Sequence, residues 1–497
     1  MAGLLLKFLI FNNGKVYDDF KLCGAYMFGT DGVGVRRAKI TCTGGVVECR
    51  KSNLETAGLA LLWPVEGFGK VLLATTCLPE RKRPYILNLE IARAKLMQIT
   101  ARREDWSFFS GFGDLEGAVS EAQGHFIKAL QNLDNPAKAS LPADEALQKA
   151  VMVGEKLALK QALTSLDSRR KSHALGKGCL GCRFDPARIG DTAYMEHLLG
   201  LFGYVTIPVN WGQIEPTRGQ YDFSSVDACV EALANRRVVM GAGPLLRFSK
   251  DYLPAWLVGS KTSFEKVREA AYQFVTRMVT RYAAVVRVWY AVSGLNVFNH
   301  FGLSFEQILE MTRAATLAVR TASGRAIKVI EIGNPWGEYY AIVPGSIPPL
   351  VYMDMVVQSG INFDAFALQM RFGRNQSGMH VRDFLQVSSL LDSFAPISKP
   401  LYITDVEIPG VEGDGLFAPD AAGSWRGGWN ETHQQQWIEQ FYRIALSKPF
   451  VDAVSYANLA DRSDSLTPQS GLLTTPLEPK RSYAALKKLQ GVLFGGA

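Results

Sequence analysis

Over the first 112 residues the apolar positions come in short runs, several alternating with polar ones, each interrupted by Gly, Asp or Pro: YMFGTDG, VRRAKITCTGGVVECRK, AGLALLWPV and KVLLATTCL. Period-two alternation bounded by turn residues predicts β-strands. KITCTGGVVEC reads as a hairpin turning at Gly44-Gly45, because glycine reaches the positive φ of a tight hairpin turn without strain. Residues 1–112 are therefore expected to form a β-rich, sandwich-like domain that closes on a helical piece, ILNLEIARAKLMQITAR.

From 113 to 176 the period lengthens. EGAVSEAQGHFIKALQNL and ADEALQKAVMVGEKLALKQALTSLDSRRK repeat apolar residues at helical spacing, with Asn135-Pro136 between them, which predicts an antiparallel helical hairpin. His125 lies on the apolar side of its first helix and reads as a core histidine. From 177 to 492 the pattern changes again, to short β-branched or apolar runs separated by helical segments: CLGCRF, YVTIPVNW, RVVMGAGPLL, VRVWYAVSG, IKVIEIGNPW, FDAFALQMRF, PLYITDVEI and DAVSYANLA. Eight strand–helix units over this length predict a (β/α)8 TIM barrel, an α/β fold whose chemistry sits at the C-terminal ends of the strands.

Composition narrows the class. Of 497 residues, 47% are hydrophobic and 20% charged, a globular balance rather than a disordered one. The net charge of +7 is spread along the chain. RKRP (81–84) and RRK (169–171) are too short to follow a phosphate backbone, so no nucleic-acid partner is expected. The N-terminal apolar run is broken by Lys7 and lacks a basic n-region and a small-residue cleavage site. Nothing else approaches ~18 uninterrupted apolar residues. Neither a leader peptide nor a membrane partner is expected, which favours a cytoplasmic location. Seven cysteines at low density argue against a disulfide framework. The CLGC stretch has no second ligand pair, so it reads as a buried thiol pair, and neither metal nor cofactor is expected.

The strand ends carry aromatics and amides: Asn210, Trp211, Trp256, Asn296, Trp336, Tyr339 and Gln369. Flat apolar rings with hydrogen-bonding amides suit sugar faces and hydroxyls. The seventh run, PLYITDVEIPG, ends in two acids, Asp405 and Glu407, whose spacing places both side chains on one face of a strand.

The order of these motifs resembles glycoside hydrolase family 10, the endo-β-1,4-xylanase type. WGQIEPTRGQYDFSSVD resembles the family's second-strand signature, and LPAWL, VWYAVSGLN, FDAFALQ, YITDVEI and LEPKRSYAAL continue the likeness over roughly residues 180–490. The resemblance implies a carbohydrate partner, a β-linked, xylan-like oligo- or polysaccharide. It also exposes departures. The family's acid/base Glu at the end of strand four is replaced by Gly294, which can neither protonate a leaving group nor activate water. Its strand-seven nucleophile Glu is replaced by Asp405, one methylene shorter. Its sugar-binding Lys falls at Asn210, its histidines near Ala242, Arg247 and Arg371, and its strand-eight Trp at Ala457.

An Asp405–Arg371–Glu407 cluster is expected, bidentate on at least one side. The catalytic candidates are Asp405, with Glu338 or His300 as relocated proton donor; Glu331, inside strand five, ranks below Glu338. The substrate-binding candidates are Asn210, Trp211, Arg247, Asn296, Trp336, Gln369, Arg371 and Glu407. Three readings stay open: a hydrolase with relocated machinery, a non-catalytic glycan-binding barrel, and a structural or assembly protein. The N-terminal domain is a further candidate carbohydrate-binding module, and the oligomeric state is not legible.

Overall fold

The computed structural model describes residues 3–106, 110–259 and 262–495. Each of the eight predicted runs after Gly176 forms a strand: Leu180–Arg183, Tyr204–Pro208, Val239–Gly243, Val288–Ser293, Ile327–Ile332, Ala365–Arg371, Leu401–Glu407 and Val451–Tyr456. They pair in parallel in that order, and the eighth returns to the first, closing the barrel. The fourth strand is buried along its whole length, as parallel strands covered on both faces must be.

Helices with one apolar face wrap the ring. Phe305–Ala322 starts at a reciprocal capping box between Ser304 and Gln307 and buries Ile308, Leu309, Met311, Ala315 and Val319. Apolar positions three and four apart fall on one stripe, and burying that stripe fixes the helix against the strands.

The N-terminal expectations largely hold. Lys39–Thr43 and Val46–Arg50 form the predicted hairpin, with Gly44 and Gly45 at φ 56° and 71°. The predicted helical hairpin is Gly113–Leu130 against Pro136–Lys171. Asn135 caps the second helix by accepting the Lys138 N–H, and Pro136 occupies the first turn, where its missing N–H costs nothing. His125 pairs through Nδ1 with Glu145 Oε2 of the second helix at 2.6 Å, so it ties the hairpin together.

The β-rich region contains two four-stranded sheets. The edge strand of the second is Ser424–Trp425, supplied by the loop after the seventh barrel strand and paired antiparallel with Gly69–Ala74. Sequence could not show this, because a two-residue strand has no periodicity. Buried polar contacts add to the junction. Glu155 accepts from the Phe384 N–H, Trp425 Nε1 and Arg426 Nη2. Lys95 Nζ meets Asp383 Oδ1 at 2.7 Å, with the two side chains 2% and 0% exposed.

Removing one member of such a pair leaves the other charge buried without compensation. Lys95→Met is expected to lower unfolding stability by about 3–5 kcal/mol, read as a lower denaturation midpoint. The exposed-pair control Lys160→Met, opposite Asp114, is expected to cost about 1 kcal/mol or less.

Candidate functional site at the barrel mouth

The seventh strand does not run straight to its end. Asp405 has φ 52°, and the register slips there against both neighbours, between Gln369 and Arg371 of the sixth strand and, in the pairing with the eighth, between Ile403 and Val406 of the seventh. A left-handed residue inside a strand is costly and persists only where the surroundings over-determine it. The bulge overturns the expected alternation. Thr404 and Asp405, adjacent in sequence, both line the central pocket, whereas Glu407 is not among the residues lining it.

The pocket is lined by Arg183, Thr206, Pro244, Arg247, Tyr252, Tyr290, Glu331, Gln369, Thr404, Asp405, Ser455 and Tyr456. Arg371 Nη2 donates to Asp405 Oδ2 at 2.6 Å, and Arg183 Nη1 stands 3.7 Å from Oδ1. Arg371 Nε lies 3.8 Å from Glu407 Oε2, and Arg374 Nη2 is 3.7 Å from the same oxygen. Glu407 also accepts from Asn458 Nδ2 and Ser470 Oγ. The expected Asp405–Arg371–Glu407 cluster therefore exists, but its guanidinium is divided between two acids and is bidentate to neither, since the bulge rotates Asp405 away from Glu407.

Glu331, ranked low by sequence, is the second carboxyl of the pocket. Its Oε2 contacts Ser293 Oγ at 2.5 Å and accepts from Gln369 Nε2 at 2.8 Å; its Oε1 lies 2.5 Å from Thr404 Oγ1. Burial, and then the negative charge of Asp405, push its carboxyl above the usual carboxylate range. Burial also acts on Asp405, but Arg371, then Arg183, outweigh it and hold that carboxyl below its ordinary value. One pocket thus holds two carboxyls whose surroundings push them in opposite directions, Glu331 toward the protonated form and Asp405 toward the ionised one, the kind of division that acid–base chemistry uses.

The end of the fourth strand is closed to a side chain. Gly294 has φ 63°, and a Cβ there would come 2.7 Å from Cδ2 of Phe298. The Phe298 ring fills this space, and the Arg247 guanidinium lies 4.1 Å from its centroid. Burial lowers the Arg247 pKa.

Several predicted residues are engaged elsewhere. Glu338 does not line the pocket; it is 3% exposed, paired with Arg382, and accepts the Gly378 N–H, because Gly337 turns the chain back toward that arginine. Trp211 is 2% exposed, stacked on Phe274 at 5.0 Å, and donates to Glu215 Oε2, a core position rather than a sugar platform. Asn296 is fully buried, joining Gly333 and Tyr339. Asn210 caps the short helix Trp211–Ile214 and donates to the Asp251 carbonyl. Trp336 packs beneath Arg382, 3.9 Å from ring to guanidinium, and His300 packs edge-on against Phe301. Of the predicted set, Asp405, Arg247 and Gln369 line the pocket, and Arg371 reaches it through Asp405. Arg183 and the Tyr252 and Tyr290 hydroxyls were missed. Arg183 ends the first barrel strand, and that position was the available signal.

No family model matches the chain. Among solved structures, xylanase 10B from Thermotoga maritima aligns with a TM-score of 0.50 at 17% identity, covering 67% of this chain and 98% of its own. Xylanase 10B from Thermotoga petrophila, solved in complex with xylobiose, gives 0.50 at 17%, covering 66% and 96%. A GH10 endoxylanase from a sugarcane soil metagenome gives 0.51 at 12%, covering 63% and 97%. At these identities the likeness establishes the fold: residues beyond the N-terminal region form a barrel of the family-10 xylanase architecture.

Gly294→Glu is expected to destabilise the protein by about 1–3 kcal/mol from backbone strain alone, before displacement of Phe298, and to create no hydrolytic activity; thermal melts and reducing-sugar assays check both. Glu331 binds its proton more tightly folded than unfolded, so its stabilising contribution is present at low pH and fades as pH rises through its raised folded pKa. Glu331→Gln is expected to flatten that decline, measured as denaturation midpoints across pH.

Proposed function

We propose that the barrel mouth binds a β-linked, xylan-like oligo- or polysaccharide and that it does not cut by the family-10 scheme. The observation that carries this is Gly294: the place of the strand-four acid is occupied by a left-handed glycine and the Phe298 ring, so no carboxyl projects from there. The family-10 fold supports a glycan ligand, as do the hydroxyls, amide and guanidinium groups that line the pocket. Without a general acid at the usual position, hydrolysis is expected to fall about 10²- to 10⁴-fold below that of a family-10 xylanase.

A second reading, hydrolysis with relocated machinery, is favoured by one observation. Asp405 and Glu331 face the same pocket and are shifted in opposite directions, Asp405 down and Glu331 up, which would assign Asp405 the nucleophile's role and Glu331 the donor's. The oxygens of Glu331 are already engaged by Ser293, Gln369 and Thr404, which favours recognition over cutting.

Affinity electrophoresis in gels containing neutral and uronate-bearing β-linked polysaccharides, followed by reducing-end assays on those that retard, separates the readings. Retardation with release far below a family-10 control is the expected result. Release that both Asp405→Asn and Glu331→Gln abolish would establish the second reading. No retardation in any gel would remove the carbohydrate assignment.

A further inference from the structure

The mouth holds more cations than its acids neutralise. Arg183, Arg247 and Arg371 surround Asp405, whose single charge is shared between Arg371 at 2.6 Å and Arg183 at 3.7 Å. Glu407 lies 3.7 Å from Arg374. Glu331, the remaining acid of the pocket, is buried among hydroxyls and an amide, with no arginine within ion-pair distance among the described residues.

Arg247 is the group left over. Among the described residues it has no carboxylate within 4.0 Å. Its one side-chain hydrogen bond among the described residues runs from Nε to Ser249 Oγ at 3.3 Å, and neither terminal nitrogen donates to an acceptor there. Its guanidinium is carried instead on aromatic faces, 4.1 Å from the Phe298 centroid and 5.1 Å from that of Tyr252. An aromatic face orients a guanidinium but leaves the edge of the fork unused, and that edge matches a carboxylate with two parallel N–H donors. A half-buried cation with an open fork, beside a second arginine that shares its counter-charge Asp405 with Arg371, is poorly explained as packing. A neutral side chain of the same length would fill the space without the cost of desolvating a charge.

Resting on the carbohydrate reading above, we propose that the mouth selects an acidic sugar, a uronosyl residue whose carboxylate takes the open fork of Arg247 while Arg183 supplies the second positive charge. The sugar ring hydroxyls then fall to Gln369 and to the Tyr252 phenol, which line the same pocket. No covalent step is involved. The selectivity is electrostatic and geometric, so it weakens with salt.

A matched set of ligands tests this: a β-linked trisaccharide ending in glucuronate, the same trisaccharide with its carboxyl reduced to the alcohol, and xylotriose, each titrated calorimetrically into the full-length protein. The glucuronate ligand is expected to bind about 10- to 100-fold more tightly than its reduced form, with the difference shrinking at high salt. Arg247→Met keeps the apolar stem against Phe298 and is expected to erase that difference, so that the acidic ligand binds no more tightly than its reduced form. Equal affinity for the acidic and reduced ligands in the wild type, or a preference that survives Arg247→Met, would overturn the proposal with the carbohydrate reading intact. Absence of binding by all three ligands would remove both, since the proposal rests on that reading.

Discussion

The hydrogen bond from Arg371 to Asp405 organises the mouth of this barrel. It joins the last residue of the sixth strand to a left-handed residue near the end of the seventh, across the place where the register slips. A non-glycine residue resists that backbone conformation, and the ion pairs from Arg371 and Arg183 are what hold Asp405 there. Because the bulge turns Asp405 into the pocket next to Thr404, Thr404 can reach Glu331 across the barrel. The charge of Asp405 in turn adds to the upward shift of the Glu331 carboxyl that burial produces. The two carboxyls are shifted in opposite directions because only Asp405 has arginines at ion-pair distance among the described residues.

The same arrangement limits the chemistry. A carboxylate held by a permanent cation is kept ionised, which suits electrostatic binding and leaves the donor's role to another group. That group no longer comes from the fourth strand, where Gly294 and Phe298 have closed the space. Arg247 lies on the filling ring. The mouth therefore has the architecture of a xylanase barrel with an electrostatic character of its own: an arginine-rich rim above the buried Glu331 carboxyl, whose pKa burial raises. The N-terminal sheets and helices brace this rim from outside, through Glu155, Lys95 and the strand Ser424–Trp425.

The barrel was legible because periodicity and strand count are global properties: eight buried runs at regular spacing leave few alternatives. The pairing of Arg371 with Asp405 was legible through the resemblance to family 10, which puts Arg371 at the place of a histidine beside that family's strand-seven acid. The bulge was not, since nothing in TDVE marks Asp405 as left-handed, and with the bulge went the prediction that Asp405 and Glu407 share a face. Glu338 was preferred over Glu331 because a loop acid looks free and a strand acid looks structural. Arg382, distant in sequence, takes Glu338 instead. Trp211 and Asn296 failed for the same reason: an aromatic or amide near a strand end serves packing or capping as readily as a ligand, and tertiary partners decide which.

The division of charge between the two carboxyls is the feature on which the account turns, and it can be observed without a substrate. Infrared difference spectra of the wild type against Glu331→Gln and against Asp405→Asn, recorded near neutral pH, report which side chain carries a protonated carboxyl band. The account predicts that band for Glu331 and an ionised carboxylate signature for Asp405. A protonated Asp405 beside an ionised Glu331 would contradict it, because the arginines would then not be setting the electrostatics of the mouth.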